Sequence, residues 1–323
     1  MRRLPDFTAK RRLFLMNTRT PKSDGAALAL QGGGVHGAYA WGVLDALLED
    51  GLRVGRVCGV SSGALVGVML VQGLVKDGPA GARREMRRLW DRVSQANALN
   101  PMQGGLERWL WGTDLGANLL WQGMETALRM FSPAQLNPFG HNPLRAVVAD
   151  LLDHDALIHP SAIPLTVAAT DVETGGSMQW GNRHITVEVL LASCCLPFIF
   201  HAVEIDGRSY WDGGYSGNPP LAPLLRPKPP RELVLIRAQS ATRPGAPSTP
   251  AEILNRLNEI ACHGILDAEL ATLPPSIALS VYDADEVLNR LPLSSKFNAE
   301  TAFLKQLFEA GRSAAKAPAA NMV

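Results

Sequence analysis

Two short apolar runs near the start of the chain each end at glycine and pass at once into residues at helical spacing, and no other feature restricts the fold more. Ala26-Ala27-Leu28-Ala29-Leu30-Gln31 stops at Gly32-Gly33-Gly34, after which Tyr39, Val43, Leu44, Leu47 and Leu48 recur on one helical face up to Asp50-Gly51. Val57-Cys58-Gly59-Val60 runs into Ser61-Ser62-Gly63 and the apolar stretch Ala64 to Leu70. A short apolar run without alternation reads as a strand buried on both faces, and strand, glycine turn and helix in tandem open a parallel α/β sheet.

The rest of the chain continues this pattern. Spacing predicts helices over 83–90, 143–152, 186–194, 251–270 and 298–309, and strands over 163–169, 232–236 and 277–281. The alternating stretch Val203 to Trp211 turns at Asp206-Gly207, a hairpin signal, and delivers Asp212-Gly213-Gly214. Residues 95–140 read as irregular. Four of the seven tryptophans (Trp90, Trp109, Trp111, Trp121) fall between 90 and 121, and indole suits either the core of a helical cap or a surface that meets lipid. The expected organisation is a basic leader over 1–25, one α/β domain over 26–312 with a helical, Trp-rich insertion at about 90–140, and a tail over 313–323.

Three motifs carry chemistry. Gly59-Val60-Ser61-Ser62-Gly63 is a GxSxG between a strand and a helix, where a sharp turn lifts the central Ser61 out of the sheet. The amide of Ser62 then lies at a helix N-terminus, which favours developing negative charge. Gly32-Gly33-Gly34-Val35-His36-Gly37 also satisfies GxGxxG, but a dinucleotide site needs an acidic residue closing the second strand, and that strand ends at Ser61. Three consecutive glycines suit instead a loop whose N–H groups approach a reacting carbonyl oxygen. Asp212-Gly213-Gly214 is weak alone and gains force from its order after the other two.

Together with Ala192-Ser193 and Pro197, these motifs resemble the patatin-like phospholipase family over about residues 26–225. The resemblance implies a three-layer α/β/α fold with a mainly parallel sheet. It implies a Ser61–Asp212 dyad without histidine, and hydrolysis of lipid acyl esters, of phospholipase or esterase type, with no metal and no cofactor. Ser61 takes the nucleophile's place and Asp212 the base's. Gly32, Gly33 and Gly34, with the Ser62 amide, take the oxyanion hole's, and Gly37, Gly59, Gly63, Gly213 and Gly214 are motif glycines. His36 stands where the family usually has Arg or Lys, so it is an accessory candidate whose positive charge near neutral pH is in question. Two other readings stay open: a Ser-His-Asp esterase using His263, the one histidine after Asp212, and a catalytically silent lipid-binding protein.

Charge and cysteine usage bound the partners. Lysine and arginine (31) balance aspartate and glutamate (30) to a net +1, which gives no global field to collect nucleic acid. The basic start, Met1-Arg2-Arg3 to Lys10-Arg11-Arg12, lacks the apolar run of a signal peptide. It is expected to be a solvated tail, with contact to lipid headgroups at a membrane periphery as its other reading. Cys58, Cys194, Cys195 and Cys262 form neither a disulfide framework nor a zinc pattern. They fit free thiols in a reducing, cytoplasmic setting.

Overall fold

Every residue of the first strand, β1 (Ala26–Leu30), is buried, as its unbroken apolar run requires. The computed structural model describes residues 25–98, 123, 127, 130–289, 291 and 293–317. After β1 come α1 (Gly37–Glu49), β2 (Val54–Val60), α2 (Ser62–Ala98), α3 (Pro133–Leu136), α4 (Leu144–Leu151), α5 (His154–Ile158), β3 (Leu165–Asp171), β4 (Ser177–Gly181) and α6 (Val187–Ser193). Then follow β5 (Val203–Ile205), β6 (Arg208–Asp212), α7 (Ala222–Leu225), β7 (Glu232–Ile236), α8 (Pro250–Ala271), β8 (Ala278–Tyr282), α9 (Asp285–Leu288) and α10 (Thr301–Lys316).

Among the described residues the strands form one eight-stranded mixed sheet in the order β5-β6-β3-β2-β1-β7-β8, with β4 paired to β3. The run β3-β2-β1-β7-β8 is parallel throughout. Side chains alternate across it. Leu28, Leu30, Val57, Val234 and Ile236 join a large core with α1, α2, α4, α6 and α10. Ala27, Ala29, Cys58, Leu233 and Leu235 face a smaller core with Leu221, Leu224 of α7 and Leu266 of α8. Helices therefore cover both faces, which is why the central strands are apolar without alternation. Each fully buried leucine contributes about 1.5–3 kcal/mol relative to an exposed one.

The expected apolar stretch Ala64 to Leu70 and the expected helix at 83–90 lie in the two halves of α2. The helix runs to Ala98 but breaks at Asp77 (φ −158°) and Gly78 (φ +55°), just before Pro79, because proline cannot continue a helical hydrogen-bond ladder. The second half is tied back to α1 by Arg83, whose Nε donates to Asp45 Oδ1 at 2.8 Å. Arg312 of α10 also bonds Asp45, and its Nη2 donates to Glu49 at 2.5 Å. α1, α2 and α10 are thus clamped on one side of the sheet.

Strand β4 is an element that the periodicity does not announce: only Trp180 of its five residues is buried. The hairpin expected at Asp206-Gly207 is present as β5 and β6, with positive φ at both turn residues (51° and 74°). Trp90 is buried in α2. Trp109, Trp111 and Trp121, with most of the expected Trp-rich insertion, the leader and the end of the tail, lie outside the described residues. No helix among the described residues is long and apolar enough to cross a membrane.

Candidate active site

The sheet register brings Ser61 and Asp212 together although 150 residues separate them in the chain. β3 serves as the common ruler. Its Ala168 pairs with Val60, the last residue of parallel β2, and its Ala169 pairs with Asp212, the last residue of antiparallel β6. β4 occupies the other edge of β3 over Thr166–Thr170, and a strand has only two edges, so β2 and β6 meet end to end on one. Ser61 follows Val60 directly. Ser61 and Asp212 line the same cavity, and the Ser61 hydroxyl acts on the titration of the Asp212 carboxyl group.

Ser61 adopts φ +54°, a left-handed conformation that costs a non-glycine residue about 1–2 kcal/mol. Its surroundings hold it there. The Ser61 N–H donates to Ser193 Oγ at 2.9 Å, and the Ser193 hydroxyl donates to Ala168 O at 2.7 Å. The neighbouring backbone must also come close. A Cβ on Gly32 would stand 2.6 Å from the Ser61 Cβ, and one on Gly63 would stand 2.2 Å from Leu30 O, so neither position accommodates a side chain without displacement of the turn. Gly59 and Gly37 lie in the same crowded junction, against Gly63 and the Ser62 side chain respectively.

Asp212 is buried, and burial raises its pKa from 3.8 to about 6. The opposing influences are the hydrogen bond from the Gly214 N–H (2.8 Å), the neighbouring Ser61 hydroxyl and the charge of Lys296. At neutral pH the group is an anion that takes a proton far more readily than an exposed aspartate, as a general base requires. Three thiols lie around it. Cys262 is pushed up to about 11 and Cys195 to about 12, in both cases by burial first and then by the Asp212 charge. Cys194, also within reach of the Ser61 hydroxyl, is raised further still for the same reasons. All three stay protonated near neutral pH.

The glycine loop is held by polar side chains from elsewhere in the chain. Gly32 N–H donates to Asn218 Oδ1 at 2.7 Å, and Gly32 O accepts from Gln239 Nε2 at 2.8 Å. Gln31 Oε1 in turn accepts from the N–H groups of Ala238 and Gln239, both at 3.0 Å. Gly33 N–H donates to Ser62 Oγ at 3.1 Å. Among the described residues the N–H groups of Gly34 and Ser62 have no such acceptor. Gly34 opens the 3-10 turn Gly34–His36 and Ser62 opens α2, where the first amides lack an internal partner.

Ser61, Ser62, Asp212, Gly32, Gly33, Gly34 and Gly214 line one cavity of about 770 Å³. Leu65, Trp90 and Val93 of α2, Leu144 and Val147 of α4, and Leu196 make much of its wall apolar, while Gln239, Asn258 and Lys296 add polar groups. His36 does not line it. Its Nε2 lies 2.9 Å from Ser295 Oγ. Burial, with the charges of Lys296 and Arg243, lowers its pKa to about 3, so the ring is neutral at pH 7. His263 does not line the cavity either. It is buried on α8 with its pKa lowered by burial and by Arg237.

Sequence reasoning passed over Asn218, Gln239, Gln31 and Lys296, and treated Ser193 only as part of a motif. Their one signal is a polar residue inside an apolar segment, as Ser193 is at the end of Val187-Glu188-Val189-Leu190-Leu191-Ala192. No group of histidine, cysteine, aspartate and glutamate suited to a metal ion occurs among the described residues.

Comparison with known proteins adds the following. The model of a family described as patatin-like phospholipase matches residues 28–225. Uncharacterized NTE family proteins of Mycobacterium bovis and Mycobacterium tuberculosis are 28% identical over 250 residues, covering 75% of this chain and 58% of theirs. The chain thus spans less than two thirds of the curated relatives it matches. VipD from Legionella pneumophila aligns with a TM-score of 0.40 at 13% identity, over 90% of this chain and 66% of that one. Full-length ExoU of Pseudomonas aeruginosa, solved with SpcU, aligns with a TM-score of 0.31 at 18% identity, over 92% and 54%.

Proposed function

The chain belongs to the patatin-like phospholipase family, and on that premise we propose that it hydrolyses acyl esters of lipids with Ser61 as nucleophile and Asp212 as its base. The observation that carries this reading is the register that sets Ser61, at φ +54° after β2, beside the buried Asp212 that ends β6, with both residues lining one cavity together with the glycine loop. Ser61 Oγ attacks the ester carbonyl carbon while its proton passes to Asp212. The negative charge that develops on the carbonyl oxygen is met by the uncommitted N–H groups of Gly34 and Ser62, each such donor being worth about 3 kcal/mol to a transition state. The protonated Asp212 then returns its proton to the departing alcohol, leaving an acyl group on Ser61. Asp212 next takes a proton from the water that attacks the acyl-enzyme and returns it to Ser61 Oγ as the bond to the acyl group breaks, releasing the fatty acid and restoring both residues.

In this reading Gly32 and Gly33 act as the frame of the oxyanion site, since their N–H groups serve Asn218 and Ser62. The apolar wall from α2 and α4 receives the acyl chain, as a cavity of this size with few polar groups suits a hydrocarbon tail. His36, neutral and bonded to Ser295, supports the loop from behind and contributes no charge. The test is fatty-acid release from a panel of phospholipids, acylglycerols and short-chain esters. Wild-type protein should release acid from at least one, and Ser61→Ala and Asp212→Asn from none above background. Equal release by either variant overturns the assigned roles.

A further inference from the structure

Asn218 is fully buried and lines no part of the cavity, yet it meets the glycine loop at two points. Strand pairing between β1 and β7 ends just before the loop, where the Gln31 N–H donates to Ile236 O at 3.1 Å. Side chains take over from there. The Gly32 N–H donates to Asn218 Oδ1 at 2.7 Å, and Gly32 O accepts from Asn218 Nδ2 at 3.3 Å and from Gln239 Nε2 at 2.8 Å. One planar amide thus grips both backbone groups of Gly32, and rotation of the peptide on either side of that residue breaks one of the bonds. Gly33 and Gly34 follow, and glycine has the widest backbone freedom of any residue, so the direction of their amides depends on how Gly32 is held.

Asn218 itself belongs to the turn that carries Asp212, and that turn is braced. The Asp212 carboxylate accepts from the Gly214 N–H at 2.8 Å. Gly213 O accepts from the N–H groups of Ser216 and Gly217 at 3.0 and 3.1 Å. The Thr170 hydroxyl donates to Asp212 O at 2.8 Å, which anchors the turn to β3. A Cβ on Gly214 would stand 3.1 Å from Asp212 Oδ1 and 3.6 Å from Asn218 Nδ2, so the two side chains flank the same glycine. One rigid segment therefore bears the carboxylate at its start and the amide that grips the loop at its end.

We infer that Asn218 is a positioning residue: by holding both backbone groups of Gly32 it fixes the glycine loop, with the open Gly34 amide, relative to Asp212 and Ser61. This rests on the hydrolytic reading above and deepens it, because base and oxyanion donor then belong to one hydrogen-bonded frame. Asn218 acts through the loop and touches no substrate. Its bond to the Gly32 N–H also takes that amide out of the oxyanion site and leaves the task to Gly34 and Ser62. A donor displaced by about 1 Å loses most of its effect on a transition state. The apolar wall belongs to α2 and α4, so a loosened loop slows the chemical step and leaves binding of the acyl chain as it is.

The experiment compares wild type with Asn218→Leu, which keeps the size of the side chain and removes both hydrogen bonds. A milder Asn218→Ser, whose side chain is too short to span both groups of Gly32, serves where leucine is not accepted at a buried polar position. Leu48→Ala, buried at the end of α1 away from the glycine loop, is the control for lost stability alone. On an uncharged short-chain ester, kcat of Asn218→Leu should fall about 10²-fold with KM little changed. Asn218→Ser should fall in the same direction, and Leu48→Ala should keep the wild-type kcat. Hydrogen exchange in the peptide spanning Gly32 to Gly34 should be faster in both Asn218 variants than in wild type and control. An unchanged kcat, a loss carried by KM, or a loop that exchanges as slowly as in wild type overturns the inference. Wild-type protein that turns over no ester removes the hydrolytic reading instead, and loop exchange in the variants then decides whether Asn218 holds the loop.

Discussion

Replacing Asp212 by asparagine has two consequences of opposite sign. The variant keeps the side-chain shape and, through Oδ1, an acceptor for the Gly214 N–H now at 2.8 Å. It loses the carboxylate proposed as the base, so turnover should fall by about 10²- to 10⁴-fold. Stability rises. The Asp212 pKa stands at about 6 in the folded protein against 3.8 as the reference, a difference worth about 3 kcal/mol. The folded-state pKa is the higher one, so folding takes up a proton between the two values. The resulting stabilisation is complete below the unfolded pKa and is lost as pH rises through about 6.

Asparagine has no proton to lose. The stability gap between Asp212→Asn and wild type should therefore widen from about 2 kcal/mol at pH 5 to about 3 kcal/mol at pH 8. For a chain of this size that is roughly 2 °C in Tm per kcal/mol. Urea unfolding of both proteins at the two pH values reads it directly. A gap that does not change with pH, or a variant less stable than wild type at pH 8, would refute the claim that burial holds this carboxyl group at a raised pKa.

The same carboxyl group sets the pH profile: kcat/KM on an uncharged short-chain ester should fall below pH about 6 with the slope of one ionisation, and a limb near the ordinary aspartate value would contradict this. Ser193→Ala strips the acceptor from the Ser61 N–H and the donor from Ala168 O. It should cost about 1–3 kcal/mol in urea unfolding and slow the covalent labelling of Ser61, and an unchanged labelling rate would show that the turn holds itself. His263→Ala should keep turnover within a few-fold of wild type, because the ring lies outside the cavity; a loss matching that of Ser61→Ala would restore a histidine to the mechanism.

Legibility in the sequence varied with how local each cause was. β1, β2 from Val57 and β7 from Leu233 declare themselves because a strand segment covered on both faces needs an apolar residue at every position, and the β5–β6 hairpin because Asp206-Gly207 can take positive φ at both turn positions. β4 is hidden, since four of its five residues are exposed and only Trp180 is buried. Ser61 is readable from its flanks, but its meeting with Asp212 is a matter of register: Ala168 and Ala169 of β3 pair with Val60 and Asp212, and nothing in those alanines announces it. Asn218, Gln239 and Lys296 reach the glycine loop from distant turns, so only the folded chain assigns them a place beside it.

The central claim is that Ser61, raised out of the sheet at φ +54° and set against Asp212, is a working nucleophile. Intact-mass and peptide mapping after treatment with a fluorophosphonate tests it most directly. One adduct, on the peptide bearing Ser61 in folded wild-type protein and absent from Ser61→Ala, is the predicted result. A folded wild type that takes no label, or a Ser61→Ala variant that is labelled equally, would contradict it.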